Sequence, residues 1–181
     1  MVMYELQDLI GEATINKALK DFLYEYKNFD KGVFPTSENL YDAIYKVTPD
    51  SLKYAVEDGF KKIALYENRV VSAKTKTLAN GKYETTFVLD SKKIYYDDRG
   101  KEENTDTNTN YIEIGLFGED ITDEKDVTLK NPFYLERKWL SSGENTFTII
   151  TDNKPVKAGI DPYNKLIDRN SDDNLKSVEY L

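Results

Sequence analysis

The stretch that most restricts the fold is a polar turn between two runs rich in β-branched and aromatic residues. Asn80-Gly81 separates residues 69–78 from residues 83–89. Asn-Gly between such runs is typical of a type I′ hairpin turn, in which both central residues have positive φ. The return strand is predicted to continue through residues 92–96. The chain before this hairpin has helical periodicity, and the chain after it has the pattern of further strands.

Residues 1–59 have the apolar spacing of short helices. The first helix is expected to end or kink at Gly11, and the second to cover residues 12–27. A loop follows, and Ser37 is predicted to cap the third helix. No capping residue precedes the first helix, so we expect the chain to be part of a larger protein.

The fourth helix is predicted from a start signal and a stop signal. Thr48 is expected to be its cap, Pro49 its first residue and Gly59 its end. Four helices with so few caps resemble the end of a larger helical domain.

The second half of the chain is predicted to be a series of strands. Polar or acidic loops are expected at residues 101–110 and 119–126, and the chain after residue 153 is expected to lie as an irregular strap that frays at its end. Short strands separated by turn signals favour an antiparallel sandwich. The predicted strands cover residues 111–117, 127–129, 133–140 and 145–151.

The composition excludes several kinds of chemistry. The 181 residues include neither Cys nor His, which removes disulfides, thiolate nucleophiles, Ser-His pairs and the usual zinc ligands. A net charge of −8 argues against binding to a nucleic-acid backbone. Because no apolar stretch reaches the length of a membrane span and no signal peptide is visible, we expect a soluble chain.

One short motif has metal-ligand spacing. Asp168, Asn170 and Asp172 are spaced like the first ligands of an EF-hand calcium loop, and Glu179 falls at its twelfth position. The sixth position requires Gly for its sharp turn, but Asp173 stands there. A solvated polar turn is the favoured interpretation, and calcium binding is the alternative.

Two other groups of residues have functional interpretations beside ordinary structural ones. The carboxylate pairs at 97–98, 102–103 and 172–173 are adjacent in sequence, whereas glycosidase chemistry needs two carboxyl groups facing each other across a cleft. Trp139 with Tyr134, and Tyr95 with Tyr96, would form an aromatic strip for sugar or peptide, although aromatic residues in strands more often pack as core or cross-strand pairs.

Several motifs together resemble a known family. Leu9-Ile10-Gly11-Glu12, the segment 35–40 and Pro49-Asp50-Ser51 are similar, in order, to the end of the helical catalytic domain of aminopeptidase N-like (gluzincin) zinc metallopeptidases. The segments 63–70 and 158–169 resemble a bacterial branch in which the peptidase is fused to an ABC-transporter-type permease region. In this family a β-sandwich follows the helical domain, and the resemblance covers nearly the whole chain.

The residues that perform the family's chemistry are not among those matched. The His-Glu-x-x-His helix, the downstream zinc-binding Glu and the Gly-x-Met-Glu-Asn strand are absent. Gly59-Phe60-Lys61-Lys62-Ile63 replaces the usual Trp and Gly-x-Pro segment. No catalytic, cofactor-binding or zinc-binding residue is therefore carried over. The resemblance implies that zinc is held upstream in a parent protein attached to the bacterial cell membrane.

The sequence as a whole predicts an α+β fold: a small N-terminal helical array over residues 1–59, an antiparallel immunoglobulin-like β-sandwich over residues 60–165, and a polar tail over residues 166–181. The predicted role is that of a non-catalytic region that closes or braces the upstream peptidase domain of the same parent chain. The alternative is a free-standing β-sandwich module that binds protein or carbohydrate. No nucleic acid and no direct membrane insertion are expected.

Overall fold

The computed structural model describes residues 2–27, 34–106, 109–118 and 132–181, with side chains left undescribed at 104–106. The described chain has an α+β fold with two compact units, Met1–Ala64 and Leu65–Leu181. The first is helical and the second consists of two β-sheets. No helix in the described ranges combines the length and apolar character needed to cross a bilayer.

The helical unit is built from four described α-helices whose apolar stripes meet in one core. Each helix contributes at least one buried residue, and the core comprises Leu6, Ile15, Tyr41, Ile44, Ala55 and Val56. The helices are α1 (Val2–Ile10), α2 (Glu12–Tyr26), α3 (Ser37–Val47) and α4 (Lys53–Lys61), with a 3₁₀ turn at Asp50–Leu52 before α4.

The predicted cap of α3 is wrong by one residue. Thr36, not Ser37, is the N-cap: its hydroxyl accepts the Asn39 N–H at 3.4 Å, and the Asn39 side chain accepts the Thr36 N–H at 2.8 Å. This reciprocal pair is a capping box with Asn in place of the usual Glu or Gln.

The predicted start and end of the fourth helix are also wrong. Thr48 closes α3, because its hydroxyl donates to the Ile44 carbonyl oxygen at 2.7 Å, and the 3₁₀ turn precedes α4. Gly59 lies inside α4, which continues to Lys61. A Cβ at Gly59 would lie 2.5 Å from Val2 Cγ1, so this glycine permits close packing of α1 and α4.

The β unit begins with the predicted hairpin. Its strands are β1 (Ile63–Thr77) and β2 (Tyr83–Tyr96), so the predicted extension of the return strand is confirmed. The turn is not type I′, because Gly81 has a φ of 82° but Asn80 does not have a positive φ. Leu78 accepts from the Gly81 N–H and donates to the Lys82 carbonyl oxygen, which is the three-residue hairpin loop that ends in a left-handed glycine.

Two sheets form the rest of the unit. The remaining strands are β3 (Glu102–Asp106), β4 (Asn110–Phe117), β5 (Pro132–Leu140), β6 (Gly143–Thr151), β7 (Lys157–Ile160), β8 (Leu175–Ser177) and β9 (Glu179–Tyr180). One sheet has the order β3-β2-β1-β9, with β6 also paired to β2, and the other has the order β5-β4-β7-β8. All registered pairs are antiparallel except β1 with β9.

The two sheets share one hydrophobic core. Phe87 and Leu89 of β2 and Ile114 and Leu116 of β4 are completely buried in it. The predicted strands over 111–117, 133–140 and 145–151 are confirmed as β4, β5 and β6, and Ile112 of β4 faces the core as predicted.

Other predictions for this half differ from the structure or fall outside it. The polar segment predicted as a loop after Gly100 contains β3, which pairs with β2. The chain after residue 153 is not an irregular strap, because β7, β8 and β9 all belong to the sheets and Leu166 and Val178 are buried. The acidic loop 119–126 and the strand 127–129 lie outside the described residues.

Candidate functional site

A polar pocket of about 330 Å³ lies on the β unit. We call it the β1–turn pocket, because β1 and β2 form one side and the turn at residues 168–173 forms the other. Its lining is almost entirely charged or amide side chains: Glu67, Asn68, Arg69, Asp90, Lys92, Asp168, Arg169, Asn170 and Asp173.

Backbone pairing holds this turn against β1. The Tyr66 N–H donates to the Ile167 carbonyl oxygen at 2.9 Å, and the Arg169 N–H donates to the Tyr66 carbonyl oxygen at 3.0 Å. The two segments therefore meet as a short parallel bridge between Tyr66 and Asp168. The pairing supplies partners for backbone groups at the edge of β1.

The Asp168 carboxylate anchors the turn. One oxygen accepts the Asn68 N–H and the other accepts the Asn170 N–H, both at 3.0 Å. Burial raises the pKa of Asp168, the backbone donors oppose that shift, and the negative charge of Asp173 adds to it. The carboxylate therefore positions the turn, since each of its oxygens accepts a backbone N–H.

Two ion pairs lie along the pocket. Arg69 Nη2 is 2.8 Å from Asp90 Oδ2, and Arg169 Nη1 is 2.7 Å from Glu67 Oε1. Arg169 also donates to the Tyr96 hydroxyl at 3.2 Å. Because both arginine side chains are about half exposed, each pair adds at most about 1 kcal/mol to stability.

Two buried polar atoms of the pocket residues have no hydrogen-bond partner within the described protein. They are Asn68 Nδ2 and Asp173 Oδ1. Asn68 is only 2% exposed, and its Oδ1 accepts from the Ser91 hydroxyl at 2.7 Å. A buried donor or acceptor without a hydrogen bond lowers stability by about 1–3 kcal/mol. A polar ligand group that hydrogen-bonds to either atom would remove this cost.

A second carboxylate, Asp161, organises the chain just before the pocket turn. Its two oxygens accept the N–H groups of Lys165 and Leu166, each at 3.0 Å. Burial raises the pKa of Asp161 to about 6, the two backbone donors oppose this, and the charges of Asp168 and Glu113 add to it. Asp161 has a φ of 41°, so the two hydrogen bonds stabilise an otherwise unfavourable turn.

The proposed calcium ligands are not gathered by an EF-hand loop in the structure. Asp168 and Asn170 line the β1–turn pocket, Asp172 is exposed in the 3₁₀ turn Ser171–Asp173, and Glu179 lies in β9, where it pairs with Lys74. Among the residues that the structure describes, no group of three or more Asp, Glu, His or Cys side chains is arranged to hold a metal ion.

The adjacent carboxylate pairs at 97–98 and 102–103 lie in a turn and a strand. Asp97 Oδ1 accepts the N–H groups of Arg99 and Lys101 at 3.0 and 2.7 Å and thereby stabilises the turn before β3. Glu102 and Glu103 are exposed at the start of β3, where the register with β2 shifts by one residue.

The aromatic strip that Trp139 and Tyr134 would form, the less favoured interpretation of these residues, does not form. Trp139 lies directly across from Tyr111 in the β4–β5 pair, and the two rings stack with centroids 4.9 Å apart. Tyr134 lies on the opposite face of β5 and donates to Glu136. Trp139 remains 47% exposed, and its pair with Tyr111 is the cross-strand packing that the sequence analysis favoured.

Sequence analysis identified Asp168 and Asn170 but missed Glu67, Asn68, Arg69 and Asp90. The Asn68 contact with Asp168 spans 100 residues, and no local pattern signals such a pairing. Scans of protein-family models, curated proteins and solved structures found no match to this chain. The resemblance to aminopeptidase N-like peptidases therefore rests on the quoted motifs and stays a prediction.

Proposed function

We propose that this chain is a non-catalytic accessory region in which a helical segment is followed by an immunoglobulin-like β unit. The parent would be an aminopeptidase N-like zinc peptidase fused to a permease region and attached to a bacterial membrane. The region would close or brace the upstream catalytic domain. The strand pairing of the β unit is the observation that supports the proposed architecture, and the quoted sequence motifs support the proposed parent protein.

The pairing scheme supports the immunoglobulin-like part of this proposal when the strands are compared in chain order. The β1–β2 and β2–β6 pairs occupy the places of A–B and B–E in one sheet. In the other sheet, β4–β7, β7–β8 and β4–β5 occupy the places of C–F, F–G and C–C′. The β unit lacks the disulfide of antibody domains, because the chain has no Cys.

The chemistry of the described residues also favours an accessory role. Burial raises the pKa values of two carboxylates, Asp161 and Asp168. The oxygens of both carboxylates accept hydrogen bonds from backbone N–H groups. General acid–base catalysis needs such a group within reach of a substrate proton. The chain has no His, so the family's zinc ligands would have to come from upstream, and no step of peptide hydrolysis is assigned to these residues.

The coding sequence upstream of Met1 and the activity of the longer protein test this proposal. We expect an upstream His-Glu-x-x-His segment, and an aminopeptidase activity that requires both that segment and zinc. The chain of 181 residues alone should neither retain zinc on dialysis nor release amino acids from aminoacyl-anilide substrates. Activity in this chain alone, or an upstream sequence without zinc ligands, would refute the assignment.

A second candidate function is a carbohydrate- or protein-binding module, and the stacked Trp139–Tyr111 pair favours it. An exposed aromatic face offers a flat apolar surface for a sugar ring or a partner side chain. Because Trp139 is the only tryptophan, its fluorescence would report binding directly. A glycan array that shows binding by the unaltered chain but none by Trp139→Ala would favour this function over the accessory role.

A further inference from the structure

We propose that the β1–turn pocket binds a small zwitterion, a molecule that carries an ammonium group and a carboxylate group close together, such as a free amino acid. The site lies wholly within the β unit and does not depend on the accessory role proposed above. The argument rests on which charged and polar groups of the pocket are already paired and which are not.

The positive side of the site is Lys92. The other two cations of the pocket, Arg69 and Arg169, are paired with Asp90 and Glu67. Lys92 is exposed on β2 and lines the same pocket, and no hydrogen bond or ion pair engages its ammonium among the described residues. A ligand carboxylate would be its natural partner.

A buried amide donor accompanies this lysine. Asn68 is almost fully buried and lines the pocket, and its Nδ2 has no acceptor in the described protein. The other end of the same amide is fixed by the Ser91 hydroxyl, so the direction of the free N–H groups is set. An acceptor oxygen placed on Nδ2 would remove the cost of an unsatisfied buried donor.

The negative side of the site is Asp173. Its Oδ1 is buried without a donor among the described residues, whereas Asp168 already accepts two backbone N–H groups. An ammonium group supplies both the hydrogen bond and the opposite charge that Asp173 lacks. The described part of the pocket thus contains one cation without an ion-pair partner, one amide donor without an acceptor and one carboxylate oxygen without a donor. Asp168 is a second carboxylate that no ion pair neutralises among the described residues, although it accepts two backbone N–H groups.

This combination selects against other ligand classes. Four carboxylates line the pocket, and they would repel a bare anion. A divalent cation lacks a suitable ligand group, since no metal-holding cluster occurs among the described residues. A neutral polyol would hydrogen-bond to Lys92 and Asp173 without balancing either charge, and charge-assisted bonds are the stronger ones.

The size of the pocket fits a small ligand. Its volume of about 330 Å³ lies near the lower end of the ~300–1,000 Å³ found for small-molecule sites. The Asp168 contacts hold the pocket turn, which carries Asp173, against β1, which carries Asn68. This reduces the ordering of the turn that ligand binding would require.

Titrations of the full chain with L-alanine, followed by amide chemical shifts, test this proposal. Acetate and ethylammonium serve as single-charge controls because each carries one half of the zwitterion. We expect saturable shifts around β1, β2 and the pocket turn with L-alanine, and much weaker ones with either control. Lys92→Gln and Asp173→Asn should each weaken binding at least about tenfold, as expected for loss of a charge-assisted hydrogen bond.

Matched control variants are available at exposed positions that do not line the pocket. Lys101→Gln and Asp172→Asn should leave the affinity for L-alanine unchanged. Lys92 is exposed, so Lys92→Gln should fold normally even if Asp173→Asn does not. The proposal is overturned if no saturable shifts occur, if acetate or ethylammonium binds as well as L-alanine, or if binding survives Lys92→Gln.

Discussion

The charged side chains of the helical unit and of the β unit make contacts of different range along the chain. In the helical unit, the ion pairs Lys17–Asp21, Lys53–Asp50 and Lys62–Asp58 all join residues three or four positions apart. In the β unit, the Asp168 carboxylate holds a backbone group 100 positions away. Local contacts can be inferred from sequence patterns, whereas the distant ones depend on the topology of the whole unit.

The largest expected effects come from truncating one buried side chain in the hydrophobic core of each unit. Ile44→Ala removes a fully buried side chain of α3, and Ile114→Ala removes one of β4. Each should lower the free energy of unfolding of its own unit by about 2–5 kcal/mol. Ellipticity at about 222 nm reports mainly on the helices, whose backbone peptides are aligned, and Trp139 fluorescence reports on the β unit.

These two probes decide whether the units differ in stability as well as in contact range. We expect Ile44→Ala to shift the ellipticity transition more than the fluorescence transition, and Ile114→Ala to do the reverse. Equal shifts of both transitions by either variant would show that the two units unfold as one.

The next effect should appear as a dependence on pH. The folded-state pKa of Asp161, about 6, lies above its unfolded value of 3.8, so the folded protein binds this proton more tightly. The stability that this proton confers is fully present below pH 3.8 and is lost as the pH rises through about 6. Wild type should therefore lose about 2–3 kcal/mol more than Asp161→Asn between about pH 4 and pH 7.

Chemical denaturation of both proteins across that range measures this difference. Asp161→Asn also loses one acceptor for the N–H groups of Lys165 and Leu166, so its stability is lower by a constant amount, and only the change with pH is diagnostic. Asp172→Asn, at an exposed position, is the matched control. A constant offset across the pH range would contradict the assignment of the raised pKa to Asp161.

A smaller effect is expected where α1 and α4 approach each other. Gly59→Ala would place a methyl group against Val2 Cγ1, and we expect a loss of about 1–2 kcal/mol, within the usual range for overpacking. The loss should appear in the ellipticity transition. Adding Val2→Ala should recover part of it, and a Gly59→Ala variant more stable than wild type would show that the α1–α4 contact is looser than this packing implies.

The smallest effect tests the position of the α3 cap. Thr36→Ala removes the side chain that accepts the Asn39 N–H, and this should cost about 1 kcal/mol. Ser37→Ala is the matched control one residue later and should be nearly neutral, because Ser37 is the first helical residue. Equal losses from the two variants in thermal unfolding would contradict the observed capping box.

The sequence predicted most of the helical unit because its signals are local. The four apolar stripes were identified, and the errors were shifts of one to four residues at the helix ends. At the start of α3, Thr36 and Ser37 are both good capping residues. The error at Gly59 has a different origin. Glycine usually marks a helix end, but here it allows α4 to pack closely against Val2. Such a tertiary contact leaves no local sequence signal.

The β unit was predicted only where strands are long and apolar. Glu102–Asp106 is too polar to resemble a strand, but it extends the edge beside β2. Leu175–Ser177 and Glu179–Tyr180 are too short to give a pattern. The β1–turn pocket could not be predicted, because it depends on the pairing of Tyr66 with Asp168 across the whole unit.

The parallel pairing of β9 with β1 has a consequence for synthesis on the ribosome. Lys74 of β1 lies beside Glu179 of β9, so this edge of β1 stays uncovered while about a hundred further residues are translated. At ~5–20 residues per second, that interval is on the order of 5–20 s. The charged side chains of Lys74 and Lys76, both about half exposed in the folded protein, would protect the nascent strand from pairing with another chain.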